Sequence, residues 1–247
     1  MKILVVVNGR NCGKYVNECL QSLVDQTYQD FTVVIVDDAS NDNTQEQIQT
    51  FAQNKIIGKD FVILVSNEKN IGTALSRLKG EREAARIGLP YEIVVWVDMD
   101  DYLLNNALEI VKNAYSDPNC WLTYGNFISK STGKIAFQPG GLELNPKVNC
   151  RFDAWKYVHL RTHRKGLTDH LTDQDIQPET YKAYPDINML YCMLELAGDH
   201  AKAIYTPLYV YRDQHPNTCI NQFSWHLRNN EKMLTKLFTP KKPLLKL

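Results

Sequence analysis

At 247 residues the chain is long enough to bury a substantial core, as one domain with a C-terminal elaboration. Its 28 Lys and Arg balance 28 Asp and Glu, which removes any global electrostatic reason to bind nucleic acid or an anionic membrane, so partners have to be read from local sites. No window approaches the roughly twenty consecutive apolar residues needed to cross a bilayer, and six scattered cysteines, with no CxxC pair and no zinc-like spacing, read as buried thiols in a reducing, cytoplasmic setting.

The N-terminal apolar stretch is only Ile3 to Val7 before polar Asn8-Gly9-Arg10-Asn11, too short for a signal peptide and right for a first strand. From there strands and helices alternate. Strands are expected at Phe31 to Val36, Phe61 to Val65, Ile93 to Val97 and Trp121 to Tyr124. Helices are expected at about Gly13 to Gln26, Thr44 to Gln53, Thr73 to Ile87 and Leu104 to Tyr115. Asn43 and Asn105 are candidate N-caps, and Gly88-Leu-Pro90 and Asp117-Pro118 are stops. Repeated β-then-α units of this size imply an α/β fold with a mostly parallel sheet and helices on both faces.

Beyond Gly125 the alternation fades. Phe152 to Leu160 and Asn188 to Ala197 look helical, Ile204 to Tyr211 looks like a strand, and the Lys-rich end reads as a last helix and a loosely held tail. The expected division is 1–125 as a nucleotide-binding half, 126–230 as an acceptor-side half of the same domain, and 231–247 as a basic tail.

The strand Ile93 to Val97 ends in Asp98-Met99-Asp100-Asp101, and Phe31 to Val36 ends in Asp37-Asp38. Carboxylates at the C-terminal ends of strands lie where open α/β sheets bind ligands, so two such ends suggest one polar site able to hold a cation. Either cluster also reads as a solvated or Asx-type helix cap.

Taken in order, Val7-Asn-Gly-Arg-Asn11, Leu20 to Tyr28, Val36-Asp-Asp-Ala-Ser-Asn-Asp-Asn-Thr44, Asn70-Ile-Gly72 with Arg77, and Val97-Asp-Met-Asp-Asp-Tyr-Leu103 resemble the family 2 glycosyltransferases of the GT-A fold. The resemblance covers at least the first half. It implies a metal-dependent, inverting transfer of a sugar from a nucleoside-diphosphate sugar, with a UDP-sugar favoured, to a hydroxyl acceptor. Asn8, Asn11, Asp38, Arg77 and Asp98 would then serve donor binding, with Asp38 accepting from the base and Asp98 taking a ribose hydroxyl or sharing the metal. Asp100 and Asp101 would hold Mn²⁺ or Mg²⁺, with His215 as a third ligand or a diphosphate contact. Where the family has Pro-x-Tyr-Asn, this chain has Asn8-Gly9-Arg10-Asn11, which leaves the base contacts open.

In the second half, Tyr184-Pro-Asp186 matches the family's acidic motif, so Asp186 is the candidate base for the acceptor hydroxyl, with Asp173 and Asp175 as fallbacks. Trp155 to Arg161 resembles a Trp-x-x-x-His-Leu-Arg stretch, in which helical spacing puts Trp155 beside His159. Arg161, Arg164 and Lys165 form a candidate cationic patch, on which, together with the Lys-rich tail, a DNA-base acceptor would depend, beside the alternatives of a polysaccharide or a protein. The rival readings are a nucleotidyltransferase, for which Asn8 to Gly13 is a poor phosphate loop, and a non-catalytic nucleotide-sugar-binding module.

Overall fold

The computed structural model describes residues 1–54, 63–138, 141–142, 150–152, 156–176, 185–214, 242–244 and 247. The first strand, β1 (Ile3–Gly9), is apolar on both faces, and this dictates the architecture. Leu4 and Val6 enter one hydrophobic cluster while Ile3, Val5 and Val7 enter another. A strand buried on both sides needs a helix layer on each side.

β1 is followed by α1 (Val16–Val24), β2 (Phe31–Asp37), α2 (Thr44–Asn54), β3 (Ile63–Ser66), α3 (Thr73–Arg86) and β4 (Ile93–Asp98). In α1, Val16, Cys19, Leu20 and Leu23 are buried at helical spacing and pack with Ile48 of α2 on the Val5 side. On the Val6 side α3 comes so close that a Cβ on Gly80 would lie 2.5 Å from Val6 Cγ1. The chain continues with β5 (Tyr102–Leu103), α4 (Ala107–Ala114), β6 (Leu122–Ser129), β7 (Val158–Arg164), α5 (Asp173–Ile176), α6 (Pro185–Ala197) and β8 (Ala201–Tyr211). α4 covers the Val5 face and the apolar α6 covers the Val6 face beside α3.

The sheet has eight strands in the order β3-β2-β1-β4-β7-β6-β8-β5. The pairs from β3 to β4 are parallel, as expected, but β7 runs antiparallel to both β4 and β6, and β5 antiparallel to β8. β6 and β8 again run parallel, so the sheet is mixed, with four of its seven strand pairs parallel. The departure comes from β7, where the sequence pattern predicts a helix through Leu160. His159, Arg161 and His163 alternate with Leu160 and Thr162, and this period of two lets the segment pair with buried β4, Trp96 opposite Arg161. Partner strands decide the structure here over the local helical spacing.

That strand also dissolves the cationic patch. Arg161 is buried and faces Asp186 at 3.5 Å. Arg164 donates to the carbonyls of Cys120, Tyr115 and Asp117 at 2.8, 3.0 and 3.1 Å, and Lys165 lies over the Tyr91 ring at 4.4 Å. The DNA-acceptor expectation loses the part of its basis that rested on this patch. Of the basic tail, Lys232, Lys236, Lys241 and Lys246 lie outside the described residues, and the described part is docked, with Leu244 N donating to Leu196 O at 2.9 Å.

Asn43 stands at the N-cap position of α2, its carbonyl accepting from Gln47 N at 3.0 Å, with the Asp42 carboxylate accepting from Thr44 N at 3.0 Å beside it. α4 instead has Asn106, not Asn105, at its N-cap position, without a side-chain bond. The layers are tied together by buried Glu81 on α3, which accepts from Trp96 Nε1 at 2.7 Å and Thr168 Oγ1 at 2.9 Å and meets His163 Nε2 at 3.2 Å. A carboxylate held by several partners is what makes its burial tolerable.

Candidate active site

The C-terminal ends of β1 and β4 open into a cleft of about 760 Å³ that extends past β7 to β6 and β8. Asn8, Asn11, Arg77, Asp98, Asp100, Asp101 and Asp186 all line it. His215 and Trp155 lie outside the described residues, and Asp38 stands behind the lining.

The turn after β1 is held rigidly. Asn11 adopts φ +57°, its side-chain oxygen accepts from Asn41 N at 2.9 Å, and its own N–H donates to Ser40 Oγ at 2.8 Å. Gly9 is required because a Cβ there would lie 2.5 Å from that of Met99. The turn and the acidic loop are therefore in direct contact.

Asp38 is buried, and its carboxylate accepts from the backbone N–H groups of Ile71 and Gly72 and from Asn67 Nδ2, each at 2.8 Å. It fixes the loop that enters α3, where Gly72 takes φ +86°, and thereby places Asn70 and Thr73 in the cleft wall. Arg77, one turn into α3, reaches the floor. Its Nε donates to Asn8 Oδ1 at 3.2 Å and its Nη2 to Asp98 Oδ1 at 2.6 Å, while buried Nη1 has no hydrogen-bond partner among the described residues. Burial opposes ionisation of Asp98, but Arg77, with His159 and Arg161 adding to it, holds the carboxyl below the usual range.

Asp101 is treated differently. Tyr209 OH donates to one of its oxygens at 2.8 Å and Arg212 N to the other at 2.7 Å. Burial, with Asp100 and Asp98 adding like charge, raises this carboxyl well above its ordinary value. Arg212 further binds the Asp100 carbonyl at 2.7 Å and pairs with Glu18 on α1, so β8 clamps the whole acidic loop. Across the floor, the His159 ring stacks on Tyr209 at 4.6 Å and its Nε2 lies 3.7 Å from Asp98. Burial pushes this imidazole down to about 3, leaving it neutral. Arg161 comes two residues later on the same strand, its Nε donating to Tyr157 O at 3.1 Å and its Nη1 facing Asp186 in the first turn of α6. The floor is thus an alternating row of Arg77, Asp98, Arg161 and Asp186.

Among the described residues no group of three or more His, Cys, Asp or Glu side chains is gathered tightly enough to hold a metal by itself. The Asp98 to Asp101 carboxylates nevertheless fit a hard divalent cation that takes one or two protein oxygens and fills its other positions with phosphate oxygens and water. His159 and Arg161 belong to the Trp-x-x-x-His-Leu-Arg stretch, which points to the acceptor side but not to the floor beside Asp98, and Tyr209 joins the site without a motif that announces it. The signal for the first two is the period-two alternation in Val158 to Arg164; Tyr209 has none beyond its place in a strand.

The sequence profile of the family described as Glycosyl transferase family 2 matches residues 4–170. The chain is 28% identical over 167 residues to glycosyltransferase GlyG of Streptococcus pneumoniae, covering 63% of this chain and 52% of that one. It is 29% identical over 227 residues to the poly(ribitol-phosphate) beta-glucosyltransferase of Bacillus spizizenii, covering 84% and 34%. The chain thus spans about half, or less, of the curated relatives it matches. Among solved structures, S. aureus TarS 1-349 in complex with UDP-GlcNAc superposes with a TM-score of 0.67 at 22% identity, covering 88% of this chain and 60% of that one. The mannosyltransferase PcManGT of Pyrobaculum calidifontis, in complex with GDP-Man and Mn²⁺, gives 0.68 at 18%, covering 98% and 66%. At these identities the likeness is one of fold, and it is the GT-A-type α/β fold expected from the sequence.

Proposed function

Because this chain belongs to glycosyl transferase family 2, we propose that it moves a sugar from a nucleoside-diphosphate sugar, with a UDP-sugar favoured, to an acceptor hydroxyl, with inversion at the anomeric carbon. The observation that carries this reading is the meeting, in one cleft, of the rigid turn after β1, the Arg77–Asp98 pair, the acidic loop and Asp186. The solved neighbours with UDP-GlcNAc and with GDP-Man support the donor class.

Each residue has a part that its surroundings suit. Asn8, Asn11 and the Asn70 to Thr73 loop bound the nucleotide, and Asp38 acts through that loop rather than on the base. Asp98, ionised beside Arg77, is suited to accept a ribose hydroxyl, and the open Arg77 Nη1 to meet a donor oxygen. Asp100 is the principal metal-side carboxylate, while Asp101 chiefly anchors the loop to β8. A bound Mn²⁺ or Mg²⁺ supplies Lewis-acid neutralisation of the diphosphate as it leaves.

Asp186 takes the acceptor proton as the oxygen bonds to the anomeric carbon. The bond from that carbon to the diphosphate breaks, and its electron pair leaves with the nucleoside diphosphate. Arg161 keeps the Asp186 carboxylate oriented. The test is thermal stabilisation by a panel of nucleoside diphosphates and nucleotide-sugars with and without Mn²⁺, together with product analysis. A metal-dependent shift confined to one base, and release of nucleoside diphosphate, are expected. Release of pyrophosphate, or no shift with any donor, would overturn the reading.

A further inference from the structure

Arg77 is held along one edge of its guanidinium. Nε and Nη2 bond to Asn8 and Asp98, which are register partners on the adjacent strands β1 and β4, so this edge spans the two strand ends. Two bonds along one edge define a line, and the guanidinium plane can still tip about it. Nη1 lies off that line, so its aim is what tipping would change.

The group that lies against the plane is Trp96. It stands two residues before Asp98 on β4, on the same face of the sheet, and its ring centroid is 5.3 Å from Arg77 Cζ, within cation–π range. The indole is itself held. Its Nε1 donates to Glu81 Oε1 at 2.7 Å, and the His163 ring meets it edge-on at 4.9 Å and 65°. Glu81 comes one turn after Arg77 on α3, so one helix face carries both the cation and the carboxylate that fixes its platform. Glu81 is set in turn by Thr168 Oγ1 at 2.9 Å and His163 Nε2 at 3.2 Å, and His163 Nδ1 donates to the Arg164 carbonyl at 2.9 Å.

Trp96, Glu81 and His163 are buried, and none of them lines the cleft. Burying these polar groups behind one indole costs stability where apolar side chains would serve, and the chain they form meets the cleft at Arg77.

We propose that Glu81 and Trp96 are positioning residues for the donor: the carboxylate fixes the indole, the indole fixes the tilt of the Arg77 guanidinium, and that tilt sets where Nη1 meets a donor oxygen. The inference rests on the donor-site reading above.

The test measures, well below each unfolding midpoint, the Kd for UDP or GDP with Mn²⁺, whichever the panel above selects, alongside donor KM and kcat. Glu81→Ala and Trp96→Leu are each expected to raise Kd and donor KM together by about tenfold, the order of one lost bond to a charged group, with kcat changed by less than about threefold. Glu81→Gln keeps an oxygen for Trp96 Nε1 and turns its amide to the Thr168 hydroxyl, which can accept. It should recover binding to within about threefold of the parent, which a role for the Glu81 charge would not allow. Trp96→Phe keeps a ring against Arg77 and drops the bond to Glu81, so a rise of about fivefold is expected. Kd and donor KM within about twofold of the parent in Glu81→Ala and Trp96→Leu, or in Trp96→Phe should those two fail to fold, would overturn the proposal. So would binding in Glu81→Gln as weak as in Glu81→Ala, or a lower kcat with Kd unmoved. In each of these cases nucleotide binding by the parent leaves the transferase reading standing. A parent that binds neither nucleoside diphosphate would instead remove that reading, and this proposal with it.

Discussion

Two neighbouring strand ends in this sheet carry almost the same sequence and do different work. β2 ends in Val36-Asp37-Asp38 and β4 in Val97-Asp98-Met99-Asp100-Asp101, with β1 between them. On β2 both carboxylates are spent on the protein itself: Asp38 on the amides of Ile71 and Gly72, Asp37 on Ser40 and on Gln45 at 2.6 Å. On β4 the partners are Arg77 and the clamp from β8, and Asp100 stays at the cleft. The surroundings of each strand end decide its work. A loop that turns back offers amides and makes a scaffold, whereas incoming cations and an open space leave a site.

The contrast can be broken most sharply at Asp100. Asp100→Ala should lower transfer by about 10³-fold or more, the scale of losing a preorganised charge stabiliser, and abolish the Mn²⁺-dependent shift with nucleoside diphosphate, while the ligand-free unfolding midpoint stays near that of the parent. Full activity in the variant, or in the parent under chelation, would remove the metal-side role of the β4 loop. Asp186→Asn comes next, with kcat down about 10²-fold, the lower range for removing a general base, and donor affinity unchanged. A donor affinity that fell in step with kcat would place Asp186 in donor binding instead.

Asp38→Ala should give the opposite signature. Three donors lose their acceptor inside the protein, so unfolding in urea should show a loss of about 2 kcal/mol. Activity measured well below the midpoint should suffer far less than in Asp100→Ala. If stability were unchanged and the donor KM rose steeply, the β2 end would be a direct contact with the nucleotide, and the distinction between the two strand ends would collapse. Arg161→Gln is a smaller test: kcat down about tenfold with the donor-induced thermal shift intact, and partial recovery in Arg161→Lys, since a positioning charge is partly replaced by another.

These cases also explain how much can be read from the chain. In the parallel half, each strand delivers its last residues to one edge of the sheet, so Asn8, Asn11, Asp98, Asp100 and Asp101 can be placed from local patterns, and Arg77 from the helix after β3. That Asp38 turns to Ile71 and Gly72 instead of facing the cleft depends on a loop more than thirty residues on. The far half is assembled by pairings across long stretches: Arg212 reaches Asp101 across 111 residues and Arg161 reaches Asp186 across 25. Neither spacing corresponds to a helical or strand period. Local spacing misplaces His159 and Arg161 because the four-residue step from Trp155 to His159 suggests a helix, while the competing two-residue alternation counts only once β4 is available as a partner.

The last test concerns the floor between the two halves. The neutral His159 ring is packed against Tyr209, and burial, reinforced by Arg161, moves its titration from 6.5 to about 3, with Asp98 pulling the other way. The unfolded chain takes up a proton near pH 6.5 and the folded one only near pH 3. Between these values the unfolded state binds more protons, so stability rises with pH across the window and is lost as the solution is acidified. His159→Phe keeps a stacking ring and removes the proton site. On metal-free protein, its stability between about pH 4 and 6 should therefore fall less steeply on acidification, by a slope difference of less than about 1.4 kcal/mol per pH unit. An unchanged slope would mean that the folded protein protonates His159 as readily as the unfolded chain does. The imidazolium would then pair with Asp98 across the 3.7 Å gap, and the β4 carboxylate would gain a further cation beside Arg77 and Arg161.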